Sequence, residues 1–218
     1  MLKAVIFDMD GVLLDSEPYH YFIEGEIYKI LGIHVPEEIR VNFVGMGNKK
    51  MWTFLKDKYE LKQNIEELSQ LNDRERIAYM STLPGLVPSP GIPGLLEELK
   101  KNNIKIALAS SSPKEVINIL IEKINLLKYF DVMVSGNEFK NGKPEPDIFI
   151  QTAKLIHEDV AGCIVIEDST NGIKAAKAAN MKCIAYKNKS TRGQDISLAD
   201  LIIDDFRTLS LLTLQELV

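Results

Sequence analysis

Ala4-Val5-Ile6-Phe7 runs without a break into Asp8-Met9-Asp10-Gly11, and this join of an apolar tetrad to two acids and a glycine decides the fold. A near-continuous apolar run of this length suggests a strand buried on both faces. In extended backbone residues i and i+2 point the same way, so Asp8 and Asp10 leave the strand end together. Gly11 permits the turn that must follow. Two carboxylates so close repel each other unless a cation compensates, and a hard, oxygen-seeking Mg²⁺ is the natural candidate. An ordinary acidic surface turn could carry the same letters, so the rest of the chain has to decide.

Apolar runs of the same kind recur at 104–109, 132–134, 163–166, 183–185 and 201–203. Helical spacing lies between them: Leu95, Leu96 and Leu99; Val116, Ile117, Leu120 and Ile121; Ile148, Phe149, Ala153 and Ile156. Alternating strand and helix signals predict a doubly wound α/β fold, a Rossmann-like parallel sheet. One stretch breaks the alternation. From about 15 to 86 the patterns are only helical: Ile23, Ile27, Ile30 and Leu31; Met51, Trp52, Leu55 and Tyr59; Ile65, Leu68, Leu71 and Ile77. The expected organisation is therefore a core of residues 1–14 and 87–218, with a small helical-bundle cap of residues 15–86 inserted after the first strand. Such an insert would sit over the carboxyl edge of the sheet, where open α/β sheets bind ligands.

Composition narrows the function classes. The 218 residues are 45% hydrophobic and 26% charged, as a globular chain with a real core requires. A net charge of -5 without a Lys/Arg block argues against a nucleic-acid surface. No apolar stretch reaches the roughly 18 residues of a membrane span. The first residues are too short an apolar run for a secretion signal, so a cytoplasmic protein is expected; a monomer is expected as well. Cys163 and Cys183 each lie in an apolar run and read as reduced core residues.

Further chemistry stands at the other strand ends. Cys163-Ile164-Val165-Ile166 ends in Glu167-Asp168, a second acidic pair that fits one metal cluster with the first better than two sets of solvated loop acids. Ile106-Ala107-Leu108-Ala109 ends in Ser110-Ser111-Ser112-Pro113-Lys114-Glu115. That order predicts a capping box, with Ser112 as N-cap, Pro113 at N1 and Glu115 at N3. The free N–H groups of such a helix start suit a phosphate, and Ser110 adds a hydroxyl donor. In Asn141-Gly142-Lys143-Pro144-Glu145-Pro146-Asp147, two prolines stiffen the backbone around Lys143, which a solvated lysine would not need. Gly136 to Gly142-Lys143 faintly suggests a P-loop, but it is one residue too long and has Pro144 where Ser or Thr is needed.

Together these stretches resemble the four ordered motifs of the haloacid dehalogenase superfamily: Asp8-Met9-Asp10-Gly11-Val12-Leu13-Leu14-Asp15-Ser16-Glu17, Ser110, Lys143-Pro144-x-Pro146-Asp147 and Glu167-Asp168-Ser169. The helical insert is similar to the cap of the branch holding β-phosphoglucomutases and sugar-phosphate phosphatases. The resemblance implies that Asp8 attacks phosphorus and Asp10 serves as general acid and base. It implies Mg²⁺ at the Asp8 side chain, the Asp10 carbonyl and Asp168, with Glu167 close by, and phosphate bound by Ser110 and Lys143. Dehalogenases of the superfamily lack the second aspartate, so phosphate chemistry is implied over carbon–halogen cleavage.

Ser111, Glu17, His20, Gly45, Asn48 and Lys49 are the expected substrate contacts. Mutases of this branch carry an arginine after the cap-loop glycine for the second phosphate of a bisphosphate. Here Asn48 stands near that place, and Lys49 is a poorer substitute because it lacks the bidentate fork. A later cap lysine also has no match around Leu71-Asn72. This departure favours a phosphatase of a small phosphorylated metabolite, with a β-phosphoglucomutase as alternative and a catalytically silent binding module as the outsider.

Overall fold

The computed structural model describes residues 1–44, 46–189 and 193–218. Among these residues six strands form one parallel sheet: β1 (Ala4–Phe7), β2 (Lys105–Ser110), β3 (Val132–Ser135), β4 (Cys163–Glu167), β5 (Lys182–Tyr186) and β6 (Leu201–Ile203), in the order β3-β2-β1-β4-β5-β6. Nine α-helices accompany them: α1 (Glu17–Leu31), α2 (Glu37–Arg40), α3 (Asn48–Tyr59), α4 (Ile65–Thr82), α5 (Ile92–Lys101), α6 (Lys114–Lys123), α7 (Asp147–Leu155), α8 (Thr170–Ala178) and α9 (Leu211–Glu216). Strand order reverses between β1 and β4, which opens a crevice at their carboxyl ends. The first four helices follow β1 without an intervening strand and form the cap.

Alternate strand residues feed two cores. Val5, Phe7, Ile106, Leu108, Ile164 and Ile166 belong to one, with α5 and α6 contributing Leu96, Leu99, Val116 and Leu120. Ala4, Ile6, Ala107, Ala109, Cys163, Val165 and Cys183 belong to the other, with Phe149, Ala153, Ile173 and Ala176 from α7 and α8. Small side chains dominate the second face, and both cysteines serve there as buried, unpaired small residues. No helix among the described residues is long and apolar enough to cross a membrane.

Two local expectations are corrected. Ile30, placed on the apolar stripe of α1, is 66% exposed, because the stripe runs through Ile23, Ile27 and Tyr28 instead. The capping box at Ser112 does not form. The helix α6 has Pro113 as its N-cap with no side-chain cap bond, and the Ser112 hydroxyl donates to Asp10 Oδ2 at 2.8 Å. A carboxylate is the stronger acceptor, so it draws the hydroxyl away from the helix start. Ser16, ahead of α1, likewise makes no cap bond and donates to Asp10 Oδ1 at 2.5 Å.

Candidate active site

Register places the centre. Phe7 pairs with Leu108 on one side and Ile166 on the other, so Asp8, Ala109 and Glu167 come level one residue further on. Lys143 ties these three strand ends together. Its Nζ lies 2.5 Å from Asp8 Oδ1, 2.6 Å from Glu167 Oε1 and 3.2 Å from the Ala109 carbonyl oxygen. At 1% exposure this lysine is a buried charge held by two carboxylates, which raise its pKa against the opposing effect of burial.

Asp8, Glu167 and Asp168 form a buried acidic cluster whose oxygens lie within 4.8 Å of one another. Burial first, then the neighbouring Glu167 and Asp10 carboxylates, push the Asp8 carboxyl well up, against the pull of Lys143. Burial, Glu167 and Asp8 do the same to Asp168. A donor set of oxygens alone, with charges that oppose one another, fits a hard divalent cation. The Asp10 side chain stands outside this cluster.

Two glycines make the cluster possible. Gly11 has φ +77°, and a Cβ there would lie 2.0 Å from Asp168 Oδ2. A Cβ on Gly172 would lie 1.7 Å from Glu167 Oε1. Glu167 is seated by its other oxygen, which accepts from the backbone N–H of Asp168 and Ser169 and from the Ser169 hydroxyl at 2.8, 2.9 and 3.0 Å. Gly172→Ala is therefore expected to displace Glu167 and lower stability by about 1–3 kcal/mol, as overpacking does. An unchanged thermal midpoint would show that Glu167 does not depend on that contact.

Asp10 has a different environment. His20 Nε2 lies 2.6 Å from its Oδ1, and the hydroxyls of Ser16, Ser110 and Ser112 donate to it at 2.5, 3.2 and 2.8 Å. Burial alone would raise its pKa, but His20 and these hydrogen bonds outweigh it and hold the carboxyl ionised. Ser110 itself is fully buried, and its oxygen also accepts from the Ser112 backbone N–H at 3.0 Å.

A cleft of about 690 Å³ opens over these groups, within the usual range for a small-molecule site. The core contributes Asp8, Asp10, Ser111, Ser112, Asp168 and Lys189, and α1 contributes Glu17, His20, Tyr21 and Glu24. Burial, with smaller contributions from Asp10 and Glu24, pushes Glu17 up to about 7, against the pull of His20 and Arg76.

Two other expected contacts, Asn48 and Lys49, do not line the cleft. Asn48 Nδ2 donates to Asp73 Oδ1 at 2.5 Å and its Oδ1 accepts from Asn72 at 2.8 Å, so it joins α3 to α4. Lys49 is exposed and absent from the cleft wall, since the first turn of α3 buries its neighbour Asn48 instead. Gly45 lies outside the described residues.

Where the sequence offered Lys49 as the substitute cation of the cap, Arg40 from α2 and Arg76 from α4 line the cleft. A signal for Arg76 existed. Leu68, Asn72, Arg76 and Met80 follow at intervals of four, which places an arginine on the inward ladder of α4. Arg40 follows Pro36-Glu37-Glu38-Ile39, which carries no periodicity to mark it.

A family model described as haloacid dehalogenase-like hydrolase matches residues 5–186. The chain is 34% identical over 183 residues to the phosphorylated carbohydrates phosphatase of Thermotoga maritima, covering 84% of each. It is 32% identical over 223 residues to the beta-phosphoglucomutase of Bacillus subtilis, covering 99% of this chain and 95% of that one. Among solved structures, CbbY from Rhodobacter sphaeroides in complex with phosphate matches with a TM-score of 0.85 at 25% identity, covering 99% of this chain and 100% of that one.

Proposed function

We propose that this chain, which belongs to the haloacid dehalogenase-like hydrolase family and is a phosphoric monoester hydrolase, releases phosphate from a small phosphorylated carbohydrate through an aspartyl-phosphate on Asp8. One observation carries the reading: Asp8 lines the cleft while Lys143 fixes one of its oxygens beside an acidic cluster. An Asp8 oxygen attacks phosphorus as the bond to the leaving alkoxide breaks, and Asp10 gives that alkoxide a proton. Asp10 then takes a proton from water, the water oxygen attacks phosphorus, and the Asp8 carboxylate is regenerated with inorganic phosphate. Lys143 offsets the negative charge that grows on the transferring group, while Ser111 contacts it from the cleft wall. Asp8 and Asp168, with Glu167 close by, would hold a magnesium ion, which would supply charge neutralisation and orientation of the phosphoryl group.

Ser110, Ser112, Ser16 and His20 act on the proton carrier, since all four bond to Asp10. As held, Asp10 is the base. To act as the acid it must exchange these partners for a proton, and an incoming phosphate dianion pushes it that way by raising the pKa of a neighbouring carboxyl.

A second reading, transfer between hydroxyls of a hexose, is favoured by one observation: two arginines in the cleft could hold a second phosphate. The two reactions share the aspartyl-phosphate and differ in what accepts it. Steady release of inorganic phosphate from hexose phosphates is expected, with little conversion of β-glucose 1-phosphate to glucose 6-phosphate. Conversion that outpaces release when primed with bisphosphate would replace the phosphatase reading by the mutase one.

A further inference from the structure

Asn188 stands two residues beyond β5, between Lys187 and Lys189, where an asparagine reads from sequence as a turn residue. The structure brings it back to the acidic cluster. Glu167 of β4 is level with Ala185 of β5, so the residues that follow both strands share one edge of the sheet. Two contacts hold the chain there. The Lys187 backbone N–H donates to the Ile203 carbonyl at 2.7 Å, and the centre of the Tyr186 ring lies 4.2 Å from that of Phe206.

The Asn188 Nδ2 atom donates to Asp168 Oδ2 at 3.1 Å and to the Gly11 carbonyl oxygen. A carbonyl and an ionised carboxylate are acceptors only, so the amide nitrogen must face them, with one hydrogen for each. Gly11 leaves room for this arrangement, since a Cβ there would lie 3.2 Å from Asn188 Nδ2 as well as against Asp168. One amide thus joins the turn after β1, the acid after β4 and the chain after β5.

Asp168 needs such a partner. Burial and the Glu167, Asp8 and Glu17 carboxylates all oppose a charge on it, while the Asn188 amide supports one. The buried cation Lys143 bonds to Asp8 and Glu167 instead.

We infer that Asn188 is a positioning residue for the divalent cation: it sets the plane of the Asp168 carboxylate and steadies the Asp10-Gly11 turn, and the fit of the cluster to Mg²⁺ depends on it. The inference rests on the metal cluster of the phosphatase reading and deepens it. Mg²⁺ demands near-ideal octahedral geometry, whereas Ca²⁺ accepts a looser set of oxygens. A ligand left free to turn therefore weakens Mg²⁺ binding more than Ca²⁺ binding.

The test is a thermal melt of the metal-free protein titrated with MgCl₂ or CaCl₂, without substrate, so that turnover does not enter. A cation that binds the folded state raises the midpoint by mass action, and the concentration dependence of the rise gives its Kd. Asn188→Ala should weaken Mg²⁺ binding by about 10–100-fold, as loss of a hydrogen-bond partner behind a metal ligand does. Ca²⁺ binding should weaken less. A merely structural role would lower the metal-free midpoint and leave both affinities at their wild-type values, which overturns the inference alone. Equal losses for the two ions also overturn it, since they would mark a lost dipole and not a lost geometry. Should Asn188→Ala not fold, the same titrations of Asn188→Ser, whose side chain is too short to span both acceptors, decide by the same outcomes. Failure of Mg²⁺ to raise the wild-type midpoint overturns the metal cluster itself, and the role of Asn188 with it.

Discussion

Asp8→Asn is expected to give a folded protein whose phosphate release has fallen to background. The substitution keeps the shape of a side chain that is 6% exposed and removes the oxygen nucleophile. Loss of a covalent nucleophile can cost on the order of 10⁶ in turnover as a single change. Folding should survive for an electrostatic reason. Asp8, Glu167 and Asp168 repel one another, so a neutral amide relieves part of that repulsion. Lys143 still keeps Glu167 Oε1 at 2.6 Å and the Ala109 carbonyl at 3.2 Å. The measurement is phosphate release beside a thermal melt. A folded Asp8→Asn protein with near-normal turnover would remove Asp8 from the mechanism.

Chelation should have an effect of similar size and, unlike the substitution, a reversible one. The cluster offers only oxygens and carries mutual repulsion, so activity should vanish in EDTA and return with Mg²⁺. Ca²⁺ should restore it poorly, since that ion takes more ligands at looser distances than an in-line transfer tolerates. A second readout does not depend on turnover. A ligand that binds the folded state raises its stability by mass action, so Mg²⁺ should raise the thermal midpoint of wild type, and Asp168→Asn should abolish that rise. Activity that survives exhaustive chelation would refute the metal cluster.

The sequence alone determined the sheet and the groups at its edge, because those follow from short-range rules. A buried parallel strand must be apolar throughout, and the pleat sends residues two apart to the same side. Hence the runs at 4–7 and 163–166 marked the two strands that flank the crevice, and Asp8, Glu167 and Asp168 could be placed at their ends before any contact was known. Lys143 was legible for a related reason, since its proline-bound setting set it apart from a solvated lysine. Only the tertiary structure decided the rest. Whether Ser112 caps α6 or serves Asp10 depends on a carboxylate more than a hundred residues away in the chain. Whether Asn48 or Arg76 faces the cleft depends on how the cap helices are rotated against one another, which side-chain packing sets and local propensity does not. Arg40, Arg76 and Glu24 come from three separate helices, and their meeting around one cleft is a product of that packing.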